Sequence, residues 1–274
     1  MIHVTVHGAR IPALGFGTFR LEGQAAERMV GAALEIGYRH VDTAQMYGNE
    51  AGVGAGIAAS GVPRDQIWLT TKIWPDSFRD GQLQRAADQS VRRLGTEPDL
   101  LLLHWPNPEV PLAETIRALN DAKRKGLTKH IGISNCTTAL FRDSVALSEE
   151  PLIVNQVEYH PYLAQGAVLG ELRKHGMALT AYAPIAHGQV FRDETLRRFG
   201  ERHGKNPGQV TLRWLLQQEG VLAIPKSSRE EHAQSNFEIF DFELSEPEMA
   251  EISRLARPDG RLIDPAGVAP SWDR

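Results

Sequence analysis

The chain carries a single cysteine, Cys136. One thiol excludes an intramolecular disulfide and a cysteine-based zinc site, and it fits a reducing, cytoplasmic location. Long apolar runs are also missing. No stretch approaches the roughly 20 residues a membrane helix needs, and the opening MIHVTVHGARIP lacks the basic-then-apolar order of a signal peptide. Neither sign of charge dominates. Thirty Lys and Arg against 34 Asp and Glu leave a formal −4, so no footprint for nucleic acid or an anionic membrane is visible. Linker-like and low-complexity segments are absent. Residues 1–274 therefore read as a single domain, large enough to need no covalent staples. No metal is expected, because His104, His160, His175 and His187 show no metal-ligand spacing. Finally, no G-x-G-x-x-G follows the first strand, which disfavours a doubly wound open sheet. The glycine-rich GVGAG at 52–56 lies inside a helical pattern and reads as close packing.

What the chain does have is a rhythm. Short apolar segments ending in polar residues occur at 14–17 (LGFG), 38–42 (YRHVD), 67–72 (IWLTTK) and 99–105 (DLLLLHW). They continue at 130–135 (HIGISN), 153–159 (IVNQVEY), 178–184 (ALTAYAP) and 221–227 (VLAIPKS). Segments with helical spacing separate them. One places Ala25, Met29, Ala32, Ala33 and Ile36 on a single face. Another aligns Leu83, Ala86, Ala87, Ser90, Val91 and Leu94 before a stop at Gly95. Further helices open at Pro111 and Pro207. Strands alternating with helices imply parallel βα units. Eight of them predict an α/β chain folded as a (β/α)8 TIM barrel. The first residues predict a short N-terminal β-hairpin, turning at His7-Gly8 and capping one barrel end.

The polar residues cluster at the ends of these segments. Asp42, Lys72, His104, Asn135, Gln156, Tyr182 and Lys226 all fall at or near C-terminal strand ends. In a barrel those ends converge on one mouth, where active sites of this fold are found. Within DTAQMYGNE (42–50), Asp42 ends a buried strand, where an unpaired carboxylate would be costly. Lys72 on the next strand can match it. Tyr47, on the loop that follows, would then lie beside an ammonium able to lower its ordinary pKa of about 10. His104 could orient a substrate oxygen. Taken singly, each residue reads as packing or an ion pair; their convergence on one barrel end gives them chemical meaning.

At these residues the sequence resembles the aldo-keto reductases. The motifs GFGTF (15–19), DTAQMYGNE (42–50), TKIW (71–74), LLHWP (102–106), GISN (132–135), NQVEYHPY (155–162), AYAPI (181–185) and IPKS (224–227) appear in family order. The short length and the ending RLIDPAGVAPSWD (261–273) are most similar to bacterial 2,5-diketogluconate reductases of the B type. The resemblance implies reversible hydride transfer between NADPH/NADP+ and a carbonyl carbon. It implies Tyr47 as general acid, Lys72 as its activator, Asp42 as the lysine's partner and His104 as the carbonyl-orienting group. Ser134, Asn135 and Gln156 would hold the nicotinamide carboxamide, Tyr182 would stack on its ring, and Thr18, Asp42, Ala183, Pro184 and Ile185 would be further cofactor contacts. Lys226, Ser227, Arg229, His232 and Asn236 would meet the adenosine 2′-phosphate and adenine. Two departures bear on this end: His232 stands where the family usually has Arg, and Ser235 where it has Glu. A neutral imidazole does less for a phosphate than an Arg fork, so some use of NADH is expected.

Substrate walls are expected from Phe19, Tyr47, Trp74, His104 and Trp105, with short surrounding loops and a permissive site for small carbonyl compounds such as diketogluconate, methylglyoxal or simple aldehydes. The C-terminal Trp272 has no place assigned by the sequence. Relatives of this short type are commonly monomers. Other readings are a Schiff-base aldolase with Lys72 as nucleophile and a nicotinamide-binding redox-sensor subunit.

Overall fold

The computed structural model describes residues 1–273. Strands β1 (His3–Val6) and β2 (Ala9–Pro12) pair antiparallel. They turn at His7 (φ 45°) and Gly8 (φ 80°), the left-handed pair that a tight two-residue hairpin requires. Eight parallel strands follow: β3 (Phe16–Gly17), β4 (His40–Asp42), β5 (Trp68–Ile73), β6 (Leu100–Leu103), β7 (His130–Ser134), β8 (Leu152–Glu158), β9 (Ala178–Tyr182) and β10 (Val221–Ala223). Each pairs with its neighbour in chain order. The two ends of the sheet also meet. Gly15 N donates to Ala223 O at 2.8 Å and Gly17 N to Pro225 O at 3.0 Å, and Leu14 and Gly17 form parallel bridges to Ala223 and Lys226. The eight expected strands thus close into the expected barrel. The hairpin lies at its N-terminal end, where His40, the first residue of β4, bonds Pro12 O through Nδ1 at 3.1 Å.

The helices coat the barrel, which is why strands such as β6 are apolar at every position. They are α1 (Gly23–Ile36), α2 (Glu50–Ala59), α3 (Gln82–Leu94), α4 (Leu112–Arg124), α5 (Thr138–Leu147), α6 (Gly166–Lys174), α7 (Glu194–His203), α8 (Pro207–Leu216), α9 (Glu230–Phe237) and α10 (Glu246–Ser253). Helix α3 buries Leu83, Ala86, Ala87, Ser90 and Leu94 as its spacing implies, buries Gln84 as well, leaves Val91 half-buried and stops at Gly95. Helix α1 differs. It buries Ala26, Met29, Val30, Ala33 and Leu34, while Ala25, Ala32 and Ile36 are half-buried. Its inner stripe is rotated because α2 packs closely along its flank.

Close approach on both flanks of α2, to α1 and to the end of α3, explains GVGAG. A Cβ on Gly54 would stand 2.2 Å from the carbonyl oxygen of Leu94, and one on Gly56 would stand 2.5 Å from that of Glu27. Backbone cannot yield as a flexible side chain can. Gly54→Ala is therefore expected to lower stability by about 1–3 kcal/mol despite alanine's better helix propensity. The midpoint of urea unfolding checks this.

Candidate active site

Asp42 closes β4 and Lys72 lies near the end of β5, so adjacent parallel strands bring them side by side. Lys72 Nζ donates to Asp42 Oδ1 at 2.5 Å and to Thr43 O at 2.8 Å. Asp42 Oδ2 accepts from Gln156 Nε2 at 2.7 Å. All three side chains are buried. The carboxylate is therefore matched by one cation and one amide, which is what makes its burial tolerable. Burial alone would depress the Lys72 pKa, but Asp42 and Tyr47 outweigh it and the net shift is upward. Lys72 remains an ammonium.

Tyr47 ends a short 3-10 turn, Gln45–Tyr47, and is half-buried. Lys72 Nζ lies 5.2 Å from the centre of its ring. The expectation of a lowered phenol pKa is corrected here. Burial raises it, Lys72 pulls it down and Asp42 pushes it up again, and the net shift is upward from 10.0. Tyr47 is a protonated phenol throughout the neutral range. The turn that carries it is fixed by Asn49, which the sequence reading passed over. Asn49 donates to Thr18 O and Leu21 O at 2.9 and 2.8 Å and accepts from Thr43 Oγ1 at 2.7 Å. Its only signal in the sequence is the Gly48-Asn49 pair directly after Tyr47, a glycine that the structure shows left-handed and an amide it shows 2 % exposed.

His104 follows β6 and is buried. Burial first, and the Lys72 charge second, hold its pKa well below 6.5. It is a neutral imidazole, whose Nδ1 has no partner among the described residues. Aromatic edges hold it instead: Tyr47 at 5.7 Å and Trp74 at 5.3 Å between ring centres. Phe19 extends the row, 5.0 Å from Tyr47. Four of the five expected wall residues therefore form one continuous surface. Trp105 stands apart. It is buried, its aromatic partner is Trp272 at 6.1 Å, and it lines a cavity of about 460 Å³ bounded by α4, α5 and residues 267–271.

The residues expected around a nicotinamide are also gathered, and they already bond to one another. Ser134 Oγ donates to Gln156 O at 2.8 Å. Asn135, in a left-handed conformation (φ 58°), donates through Nδ2 to His104 O at 3.0 Å and to Ser134 Oγ at 3.1 Å. It accepts from Tyr182 Oη at 2.8 Å. Thr18 Oγ1 donates to the backbone oxygen of Asp42 at 3.0 Å. After β9 the chain bends sharply through Ala183, Pro184 and Ile185, with positive φ at Ala183, Ala186 and His187. Three non-glycine residues in that region within five positions are a costly arrangement of the sort found at ligand clamps.

At the far end, after β10, Lys226 is half-buried and makes no ion pair among the described residues. Ser227 turns its hydroxyl onto Arg229, accepting from its N–H at 3.1 Å and donating to its carbonyl at 2.7 Å. Asn236 is buried on α9. Arg229 is exposed and pairs with Glu231 at 2.7 Å. His232 is exposed, and Ser235 accepts from Asn206 Nδ2 at 2.9 Å. Glu35, Glu230 and Glu231 line a shallow groove between α1 and α9 nearby. No group of three or more His, Cys, Asp or Glu is gathered to hold a metal among the described residues, and no helix among them is long and apolar enough to cross a membrane.

Comparison with known proteins follows the same lines. The model of the Aldo/keto reductase family matches residues 13–257. The chain is 41 % identical over 267 residues to methylglyoxal reductase DkgB of Escherichia coli O157:H7, covering 96 % of this chain and 99 % of that one. A solved structure named for 2,5-diketo-D-gluconic acid reductase B superposes with a TM-score of 0.98 at 50 % identity, covering 100 % of this chain and 98 % of that one. An aldo-keto reductase of Bombyx mori, solved in complex with NADP, superposes with a TM-score of 0.87 at 31 % identity, covering 93 % of this chain and 92 % of that one.

Proposed function

The chain belongs to the aldo/keto reductase family, and from that premise we propose that it reduces a small carbonyl compound to the alcohol with NADPH, Tyr47 supplying the proton. The observation that carries this reading is the buried Asp42–Lys72 pair set against the Tyr47 ring, with neutral His104 edge-on to the same ring.

The residues present fit the cofactor. A half-buried Tyr182, the amides of Asn135 and Gln156, the strained turn at 183–187 and Lys226, without an ion pair among the described residues, all lie at or just beyond the C-terminal ends of β7 to β10. Tyr182 would stack on the nicotinamide, Ser134, Asn135 and Gln156 would hold its carboxamide, and Lys226 with Ser227 and Asn236 would take the adenosine end. Bound NADPH supplies one hydride to the carbonyl carbon. Tyr47 gives its phenolic proton to the carbonyl oxygen. The Lys72 ammonium stabilises the phenolate left behind, and Asp42 keeps that ammonium in place. His104, being neutral, offers one N–H to hold the carbonyl oxygen before transfer.

The signs of the shifts set a pH profile. Reduction needs Tyr47 protonated, so the rate is lost only as pH rises through a value above 10.0. It needs His104 neutral, so the acid side holds until well below 6.5. A flat kcat between those limits is expected, and a descending limb near pH 8 would contradict it.

Methylglyoxal, a diketogluconate and simple aldehydes are the proposed substrates, in keeping with the names of the two similar reductases. A panel of aldehydes, ketoses and α-dicarbonyls, followed by loss of NADPH absorbance, tests this; no turnover across the panel would overturn it. A Schiff-base route through Lys72 has no support, since a lysine bonded to Asp42 and Thr43 is a charged, poor nucleophile. With Arg229 engaged by Glu231 and carboxylates lining the adjacent groove, the 2′-phosphate gains little. The ratio of kcat/KM for NADPH over NADH is therefore expected below about 100, the worth of one charge-assisted hydrogen bond. A ratio in the thousands would refute it. A monomeric, cytoplasmic enzyme is part of the same proposal, and its one thiol is buried.

A further inference from the structure

Glu50 has no part in the chemistry above, yet it is a carboxylate held 1 % exposed, three residues after Tyr47 and at the start of α2. Its Oε1 accepts from Thr71 Oγ1 at 2.6 Å and its Oε2 from Arg93 Nε at 2.8 Å. Side chains alternate along a strand. Lys72 reaches Asp42 inside the barrel, so Thr71 points outward to the helical layer, where it meets Glu50. Arg93 belongs to the last turn of α3, and its side chain is 38 % exposed. Gly54 lies one turn on from Glu50, and the end of α3 sits against it too closely to admit a Cβ. That close approach brings Arg93 within reach of the carboxylate and matches its charge.

The connection from β4 to α2 carries Tyr47, and its only regular stretch is the three-residue turn Gln45–Tyr47. Its tethers therefore place it, and many of them run to β5. Thr43 N donates to Thr70 O at 2.9 Å, and Thr43 O accepts from Lys72 Nζ at 2.8 Å. These fix the connection where it leaves β4. In its middle, Trp74 N donates to Gln45 Oε1 at 3.5 Å, a long bond. Asn49 spends its side chain on Thr18, Leu21 and Thr43. Beyond Tyr47 the tie to β5 is Glu50, bonded to the residue next to Lys72. One strand thus carries Lys72 directly and holds Tyr47 through Thr71 and Glu50.

We propose, resting on the reading of Tyr47 as proton donor, that Glu50 is a positioning residue. Through its bond to Thr71 it sets where the Tyr47 ring stands relative to Lys72, and so the rate of proton transfer, without touching substrate or cofactor. Proton transfer is steep in geometry, and a misplacement of about 1 Å can cost about 10²-fold. The carboxylate suits the task because it accepts at both oxygens. Arg93 secures one of them, and the other is free to take the Thr71 hydroxyl.

Three variants test it. Thr71→Val deletes the hydroxyl and keeps the shape of the side chain. Thr71→Ala deletes it without crowding, so it answers even where the valine variant does not fold. Thr71→Ser keeps a hydroxyl. The valine and alanine variants are expected to lower kcat for a small aldehyde about tenfold to 100-fold. KM, and NADPH affinity by fluorescence quenching, should stay within about twofold of the parent. The serine variant should restore kcat. Added to Tyr47→Phe, the loss of the Thr71 hydroxyl should cost nothing more, since a group that acts through Tyr47 then has nothing left to place. Parental kcat in a folded valine or alanine variant would overturn the clamp. So would a serine variant as slow as the valine one, or losses that multiply in the double variant. An equal loss of NADPH affinity would make Glu50 a general support of α2 and overturn it too. Crystal structures give a readout that needs no turnover. Lys72 Nζ lies 5.2 Å from the Tyr47 ring centre, and the valine variant should lengthen that distance by about 0.5 Å or more. Absence of carbonyl reduction by the parent protein would sink the reaction, and the clamp would then be judged on this distance, an unmoved ring refuting it.

Discussion

Replacing Tyr47 by phenylalanine is expected to reduce kcat for carbonyl reduction about 10²- to 10⁴-fold, the range for removal of a positioned proton donor, while NADPH still binds. The substitution deletes one oxygen. The ring keeps its contacts with Phe19 and His104 at 5.0 and 5.7 Å, and the Asp42–Lys72 pair is not disturbed. Because burial holds the phenol protonated across the neutral range, the parent enzyme always has the proton ready. His104 offers no substitute, since its pKa lies well below 6.5 and its N–H is a poor acid when neutral. Single-turnover rates at saturating NADPH separate loss of proton transfer from loss of binding. A Phe variant with parental kcat would remove Tyr47 from the mechanism.

Lys72→Met carries the largest expected cost in stability. It strips Asp42 of the cation 2.5 Å away and leaves a carboxylate, 1 % exposed, with Gln156 alone. Breaking a buried pair from one side costs about 3–5 kcal/mol, or roughly 10 °C in Tm for a chain of this size. Reduction should be abolished with it. The double variant Asp42→Asn with Lys72→Met is the sharper measurement. With both charges gone, much of the stability should return, since buried pairs are often replaceable by uncharged groups. Activity should not return, because nothing remains to stabilise the Tyr47 phenolate. Recovery of both together would reduce the pair to a structural role.

The barrel was legible because its determinants are local. Apolar segments of strand length, separated by stretches such as Leu83–Leu94 with helical spacing, declare parallel βα units whatever they pack against. Strand direction then places Asp42, Lys72, His104 and Asn135 at the same end. The misreadings have a common source. The face of α1 was misplaced because α2 packs on its flank, and the expected lowering of the Tyr47 pKa counted the neighbouring charge but not the burial. That Trp105 also meets Trp272 and the cavity beside the tail lay outside what strand ends and spacing encode.

By itself, then, the sequence determined the number and order of the βα units and the end of the barrel where the reactive side chains collect, since chain direction and side-chain alternation are properties of the backbone alone. Only the tertiary structure decided which groups touch: Gln156 bonding Asp42 from 114 positions away, Glu158 holding Leu262 and Ile263, and Trp272 set against Trp105. It also decided whether charge or desolvation governs Tyr47. Both outcomes depend on what fills the few ångströms around an atom, and that is fixed when distant segments pack together.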